Sequence, residues 1–123
     1  MTEIINMSSK TFQLLKSISD IKQVASNYPD SFAVYPTAIY QTSHKAHFVN
    51  NHMQEMQTEW TITVDLFVDY GSLTDITNKL ISLFSAMGFL NDTASQDLSG
   101  ITRTVIRFTG IVDNELGRVY QKG

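Results

Sequence analysis

Three histidines, His44, His47 and His52, lie close together in the chain, and two carboxylates, Glu55 and Glu59, follow them. Neutral imidazole is a common transition-metal ligand, and a neighbouring glutamate can supply a further ligand or a general base. Spacing alone does not gather the three rings. No cysteine accompanies them and no period orders them, so they read as exposed polar side chains rather than a metal site. Asp65 and Asp69 are the other pair that could do acid–base work. On a strand they share a face, but four residues at the strand rise separate them by about 13 Å. That is wider than the carboxyl separation of either glycosidase geometry. No serine has a G-x-S-x-G setting, and Gly71, Gly88, Gly100, Gly110 and Gly117 form neither a phosphate-binding loop nor a dinucleotide fingerprint. The expectation is a protein that is not an enzyme, with no catalytic residues, no metal and no cofactor.

Composition narrows the classes further. The chain has 123 residues, 42% of them hydrophobic and 17% charged, which suits one domain over 1–123 with a single core. Without cysteine, disulfides and thiolate chemistry are excluded. A net charge of −3 and no cluster of Lys or Arg leave no face built to neutralise phosphates, so nucleic acid is a neighbour rather than a held ligand. Met1, Thr2 and Glu3 open the chain without a signal-like stretch, and the longest apolar run, near Leu83 to Leu90, is far short of a membrane span. A soluble protein made in the cytoplasm, with no membrane partner, is expected.

The elements that would position these residues follow from periodicity. Leu14, Ile18, Ile21 and Ala25 recur at helical spacing from Ser9 to Asn27, and Tyr28-Pro29 stops that helix. Thr37 to Thr42 is rich in β-formers, whereas 43–54 has little period and reads as an exposed, flexible loop. Trp60, Ile62, Val64, Leu66 and Val68 alternate with Thr61, Thr63, Asp65, Phe67 and Asp69, which marks a half-buried strand. A second helix runs from Ser72 to Met87 and stops at Gly88. Phe89-Leu90 begins a short strand before a polar turn over 91–100. Another strand spans Ile101 to Ile111, interrupted by Gly110, and 113–123 forms a turn followed by a terminal strand or arm. The fold class this predicts is α+β: an antiparallel sheet of about four strands with two helices packed on one face, in the order α-β-β-α-β-β. If the even residues of the central strand face the helices, Phe67 lies on the opposite side between two aspartates, as a partner surface would place it.

Read in order, these residues resemble the small tail-terminator and tail-completion proteins that join head to tail in long-tailed bacteriophages. An opening helix ends at Tyr28-Pro29, and Pro36-Thr37-Ala38-Ile39-Tyr40 looks like the family's proline-led first strand. A polar loop leads to Glu59 and Trp60, and Thr63 to Asp69 is similar to its long second strand. Met87-Gly88-Phe89 looks like the exit of its helix, and Arg103 to Gly110 like its late strand. The resemblance runs from about Thr11 to Tyr120 and rests on spaced apolar and turn residues.

The resemblance implies a structural virion protein whose copies form a ring, usually a homohexamer, at the head-proximal end of the tail. Such a ring ends tube elongation and joins tail to head. Its partners are further copies of itself, the tail tube protein and the head-completion connector, while DNA passes through the lumen without specific binding. A ring needs one face of a subunit to fit a different face of the next. The candidates are Asp65, Phe67 and Asp69 on one side and Arg103, Arg107 and Arg118 on the other. The same residues could equally form cross-strand pairs within one subunit. His44, His47, Phe48 and His52 are the candidate contacts to axial partners. Two other readings stay open: another neck or tail component, such as a stopper-like adaptor or tube-like protein, and a small enzyme or ligand-binding module using the histidines.

Overall fold

The structure, a computed structural model, describes residues 5–26, 35–53, 55–69, 72–98, 101–114 and 118–120; residues 47, 96–98 and 118–120 are described by their backbone alone. Helix α1 (Met7–Ser17) begins at Asn6, whose carboxamide oxygen accepts the N–H groups of Ser8 and Ser9 at 3.0 and 3.2 Å, a side-chain N-cap. Met7, Thr11 and Leu15 form its buried stripe. The helix does not continue to Asn27. Ile18 is already extended, and Gln23–Ala25 is a strand, β1. Ser19 and Asp20 are poor helix formers, and the β-branched Ile21 and Val24 favour an extended chain once a partner strand is present. That partner is reached through the carbonyl of Pro36, which accepts the N–H groups of Lys22 and Gln23.

Strand β2 (Thr37–Val49) follows a cis Tyr35–Pro36 bond and pairs with β3 (Glu55–Val68) from Thr37 opposite Phe67 to Val49 opposite Glu55. The expected loop over 43–54 is therefore strand as far as Val49. Pairing with β3 extends a segment whose own pattern is too weak to declare itself. Helix α2 (Thr74–Met87) ends where Gly88 adopts φ 106°, a left-handed conformation that glycine takes without steric cost. Strand β4 (Leu90–Leu98) occupies most of the expected polar turn. Strand β5 (Ile101–Asp113) follows, and the terminal segment contributes β6 (Arg118–Tyr120).

These strands correct the expected fold. Instead of about four antiparallel strands there is one mixed six-stranded sheet in the order β1-β2-β3-β5-β4, with β6 paired to the end of β5. The element order is α-β-β-β-α-β-β-β. The sheet is mixed because β1 runs parallel to β2. The additional strands are short or polar edge elements. They are held by a neighbour's backbone rather than by an apolar period, and so they carry no alternation to read.

The core lies on one side of the sheet. Trp60, Ile62, Val64, Leu66 and Val68 of β3 meet Ile106, Phe108 and Val112 of β5, covered by Met7 and Leu15 of α1 and Ile76, Leu80 and Phe84 of α2. Gly110 stands directly across from Trp60. The missing side chain leaves space beside the large indole at that pair, which suits a glycine inside a regular strand.

Outside the core, an exposed ion pair joins Asp20 to Lys79 at 2.5 Å and ties the segment after α1 to α2. The hydrogen bond and charge of Lys79 hold the Asp20 carboxyl below its ordinary range, and Asp20 in turn raises Lys79. The depressed carboxyl stabilises the fold above its unfolded pKa, and that contribution is lost as pH falls through the folded value. The raised ammonium stabilises below its unfolded pKa, and that part is lost only as pH rises through the higher folded value. Asp20→Asn is expected to lower the urea midpoint slightly at about 10 mM salt and not measurably at about 1 M. A decrease that persists at high salt would mean the side chain acts through packing instead.

Candidate functional site

Among the described side chains, the fold does not bring His44 and His52 together. His44 sits on β2, where its ring lies 4.5 Å from the Trp60 ring, while His52 is exposed in the turn beyond the strand. His47 is also on β2, and its side chain lies outside the described residues. His44 and Glu59 both line a surface cleft of about 220 Å³ with Ser43, Lys45 and Thr61. Lys45 reaches Glu59 at 3.6 Å in that cleft, so the glutamate's charge is already engaged. Among the described residues, no group of three or more His, Asp or Glu is placed to hold a metal ion.

The expected contact residues divide. Asp65 and Arg103 form a 3.0 Å ion pair within the chain, and the Arg103 guanidinium lies 5.6 Å from the Phe67 ring. Asp65 and Phe67 are buried. These three act together on the helix-free face, bracing β3 against β5. Asp69 is exposed just past β3, and Arg107 is exposed on β5 opposite Asp92. Arg118 pairs with Asp113 through the backbone of β6, and its side chain is outside the described residues.

Two features go beyond what the sequence offers, which names Phe48 as an axial contact but neither the strand edges nor Met53. The first is a pair of open strand edges. Strand β1 covers only Thr37–Ile39 of β2, and among the described residues no strand pairs with the outer side of Tyr40–Val49. At the opposite side of the sheet, β4 has β5 on one side and none of the described strands on the other. Both edges present rows of N–H and C=O groups that antiparallel pairing would satisfy. Their lengths are similar, ten residues on β2 and nine on β4.

The second feature is the tip of the β2–β3 hairpin. Phe48 is 52% and Met53 84% exposed, with Val49 beside them. The turn is well formed: the Asn50 side chain accepts the His52 N–H at 2.9 Å and its carbonyl accepts the Met53 N–H at 3.0 Å. Met53 adopts φ 63°, a left-handed conformation that costs a non-glycine residue about 1–2 kcal/mol. An apolar side chain displayed at that cost fits a contact surface better than a solvent-facing turn.

Among the described residues no helix is long and apolar enough to cross a membrane. Comparison with protein-family models, curated proteins and solved structures finds no match to this chain.

Proposed function

We propose that the protein is a structural subunit of a bacteriophage virion, forming a ring at the head-proximal end of the tail that ends tube elongation and joins tail to head. The observation that carries the proposal is that one sheet has, on opposite sides, two edges that none of the described strands covers. A subunit with two different complementary edges associates head to tail, and such contacts close into a ring when the rotation allows. Closure also covers edges that would otherwise invite uncontrolled pairing. The resemblance supplies the number of copies, six, and the location.

Other features support the same reading. The described residues of the face opposite the helices carry charges of both signs, and the chain's net charge of −3 disfavours holding phosphates, as passage of DNA without retention requires. The apolar hairpin tip projects from one end of the strands, where an axial neighbour such as the tube protein or the connector would meet the ring.

Disrupting the gene in its phage is expected to give filled heads beside unattached tails, many of abnormal length, in negative-stain electron micrographs. Normal attached tails would sink the proposal, and a complete lack of tails would move the protein to a tube role.

A further inference from the structure

We infer that copies of this chain join by extending the sheet from one subunit to the next, with β4 of one copy pairing antiparallel to β2 of its neighbour in the register that sets Asp92 against Lys45. The inference rests on the ring reading and names the contact that would build it.

Strand direction is the first constraint. β2 runs antiparallel to β3, β3 to β5 and β5 to β4, so β4 points opposite to β2. Rotation about an axis along the strands preserves direction, and a neighbour's β4 therefore arrives at β2 in the antiparallel sense. Two-fold pairing of like edges would also be antiparallel, but it would stop at dimers or alternate around the sheet.

The pleat is the second constraint. Lys45 lies opposite Glu59, and Asp92 opposite Arg107, on the helix-free face, whereas His44 and Thr93 lie on the face that carries the helices. A continuous sheet must keep these faces aligned, so only every second register is allowed. Charge then selects among those. Lys45 is exposed on the β2 edge and leans on Glu59 at 3.6 Å. Asp92 is exposed on β4 and forms no ion pair with any described residue. Setting them opposite places the Lys45 ammonium between two carboxylates, one from its own β3 and one from the neighbour. In the same register His44 faces Thr93, and Thr42 faces Ser95. Leu98, the last residue of β4, comes level with Ile39, where β1 already occupies the edge. Strand β1 thus acts as a stop for the incoming strand.

The absence of cysteine makes the test direct. Residues directly opposite in an antiparallel pair have Cα atoms about 4.5–5.5 Å apart, within reach of a disulfide. Full-length protein carrying Lys45→Cys and Asp92→Cys together is expected to form, on mild oxidation, a ladder of covalent multimers beyond the dimer. On denaturing, non-reducing gels each single variant should give nothing beyond the dimer, and so should Lys45→Cys with Thr93→Cys, whose side chains point to opposite faces. Equal laddering in the mismatched pair, or no ladder in the matched one, overturns the register. Lys45→Glu or Asp92→Lys alone should reduce assembly of the cysteine-free chain about tenfold in native mass spectrometry, and the double reversal should restore it. Rings of the native chain that lack the Lys45–Asp92 link would reject this contact while leaving the ring standing. Absence of any multimer, together with normal tails after gene disruption, would remove both.

Discussion

Phe84→Ala is expected to destabilise the fold by about 4 kcal/mol, a large share of the roughly 5–15 kcal/mol that holds a domain of this size. Phe84 is fully buried. It stacks on Phe108 with ring centroids 4.1 Å apart and meets the edge of Phe89 at 5.7 Å. The same residue closes the end of α2. The Phe89 N–H donates to the Phe84 carbonyl and the Gly88 N–H to that of Ser85, both at 3.0 Å, and the contact between the two rings is the apolar contact that accompanies this cap. Truncation removes a ring from the centre of the core, leaves a cavity walled by two other rings, and loosens the turn that directs the chain into β4. Urea unfolding followed by Trp60 fluorescence, with the m-value held constant, measures the loss. Phe84→Leu, which refills most of the space, should cost less than half as much. A Phe84→Ala cost below about 2 kcal/mol would show that the site collapses around the missing ring.

The elements that hold this cluster are those the residue pattern reveals most clearly. Five alternating apolar residues on β3, the 3.6-residue period and glycine stop of α2, and the alternation through Ile106 and Phe108 all arise from burial against one side. Burial leaves its period in the sequence. The elements that escape reading lack that imprint. β4, with the sequence Leu-Asn-Asp-Thr-Ala-Ser-Gln-Asp-Leu, has exposed side chains from Leu90 to Ser95 and exists because β5 offers it a ladder. The outer half of β2 is similar, since Gln41, Ser43, His44, Lys45 and Ala46 are exposed and the strand is fixed from the β3 side. The overlong helix reading fails for the reverse reason. Ile18 and Ile21 are buried at helical spacing, but they reach the core from a chain that has already turned toward β1.

The contact surface is less legible than the fold because openness is a property of arrangement. Phe67 between Asp65 and Asp69 carries the composition of a partner surface, yet the fold engages Asp65 with Arg103 and buries the ring beneath the same guanidinium. Lys45 and Asp92 are unremarkable by residue type. They become informative only when the sheet order leaves Lys45 and Asp92 on edges with no outer neighbour among the described strands and places both side chains on one face. Phe48 could be named from the sequence, as an apolar residue among polar ones, whereas the exposure of Met53 depends on a turn that its residues alone do not specify.

Asn114→Ala is expected to cost about 3 kcal/mol, because one carboxamide serves three groups and its removal leaves buried polar atoms unmatched. Asn114 is 9% exposed. Its Nδ2 donates to the Glu55 carbonyl at 3.1 Å and to the Thr58 hydroxyl at 2.9 Å, and its Oδ1 accepts the Ile5 N–H at 3.0 Å. Thr58, fully buried, donates in turn to the Glu55 carboxylate. The network fastens the segment entering α1 to the start of β3 and the end of β5, three parts of the chain far apart in sequence. Asn114→Asp separates its two halves, since the acceptor toward Ile5 is kept while both donors are lost and a carboxylate is brought near that of Glu55. That variant should be the less stable of the two at neutral pH and should recover as pH falls through the carboxylate range, where protonation restores a donor. In hydrogen exchange, the Ile5 amide should lose protection in Asn114→Ala and keep it in Asn114→Asp under acidic conditions. If both variants unfold within about 1 kcal/mol of the parent at every pH, the carboxamide is replaceable by water, and the start of β3 and the end of β5 are held by their own pairing.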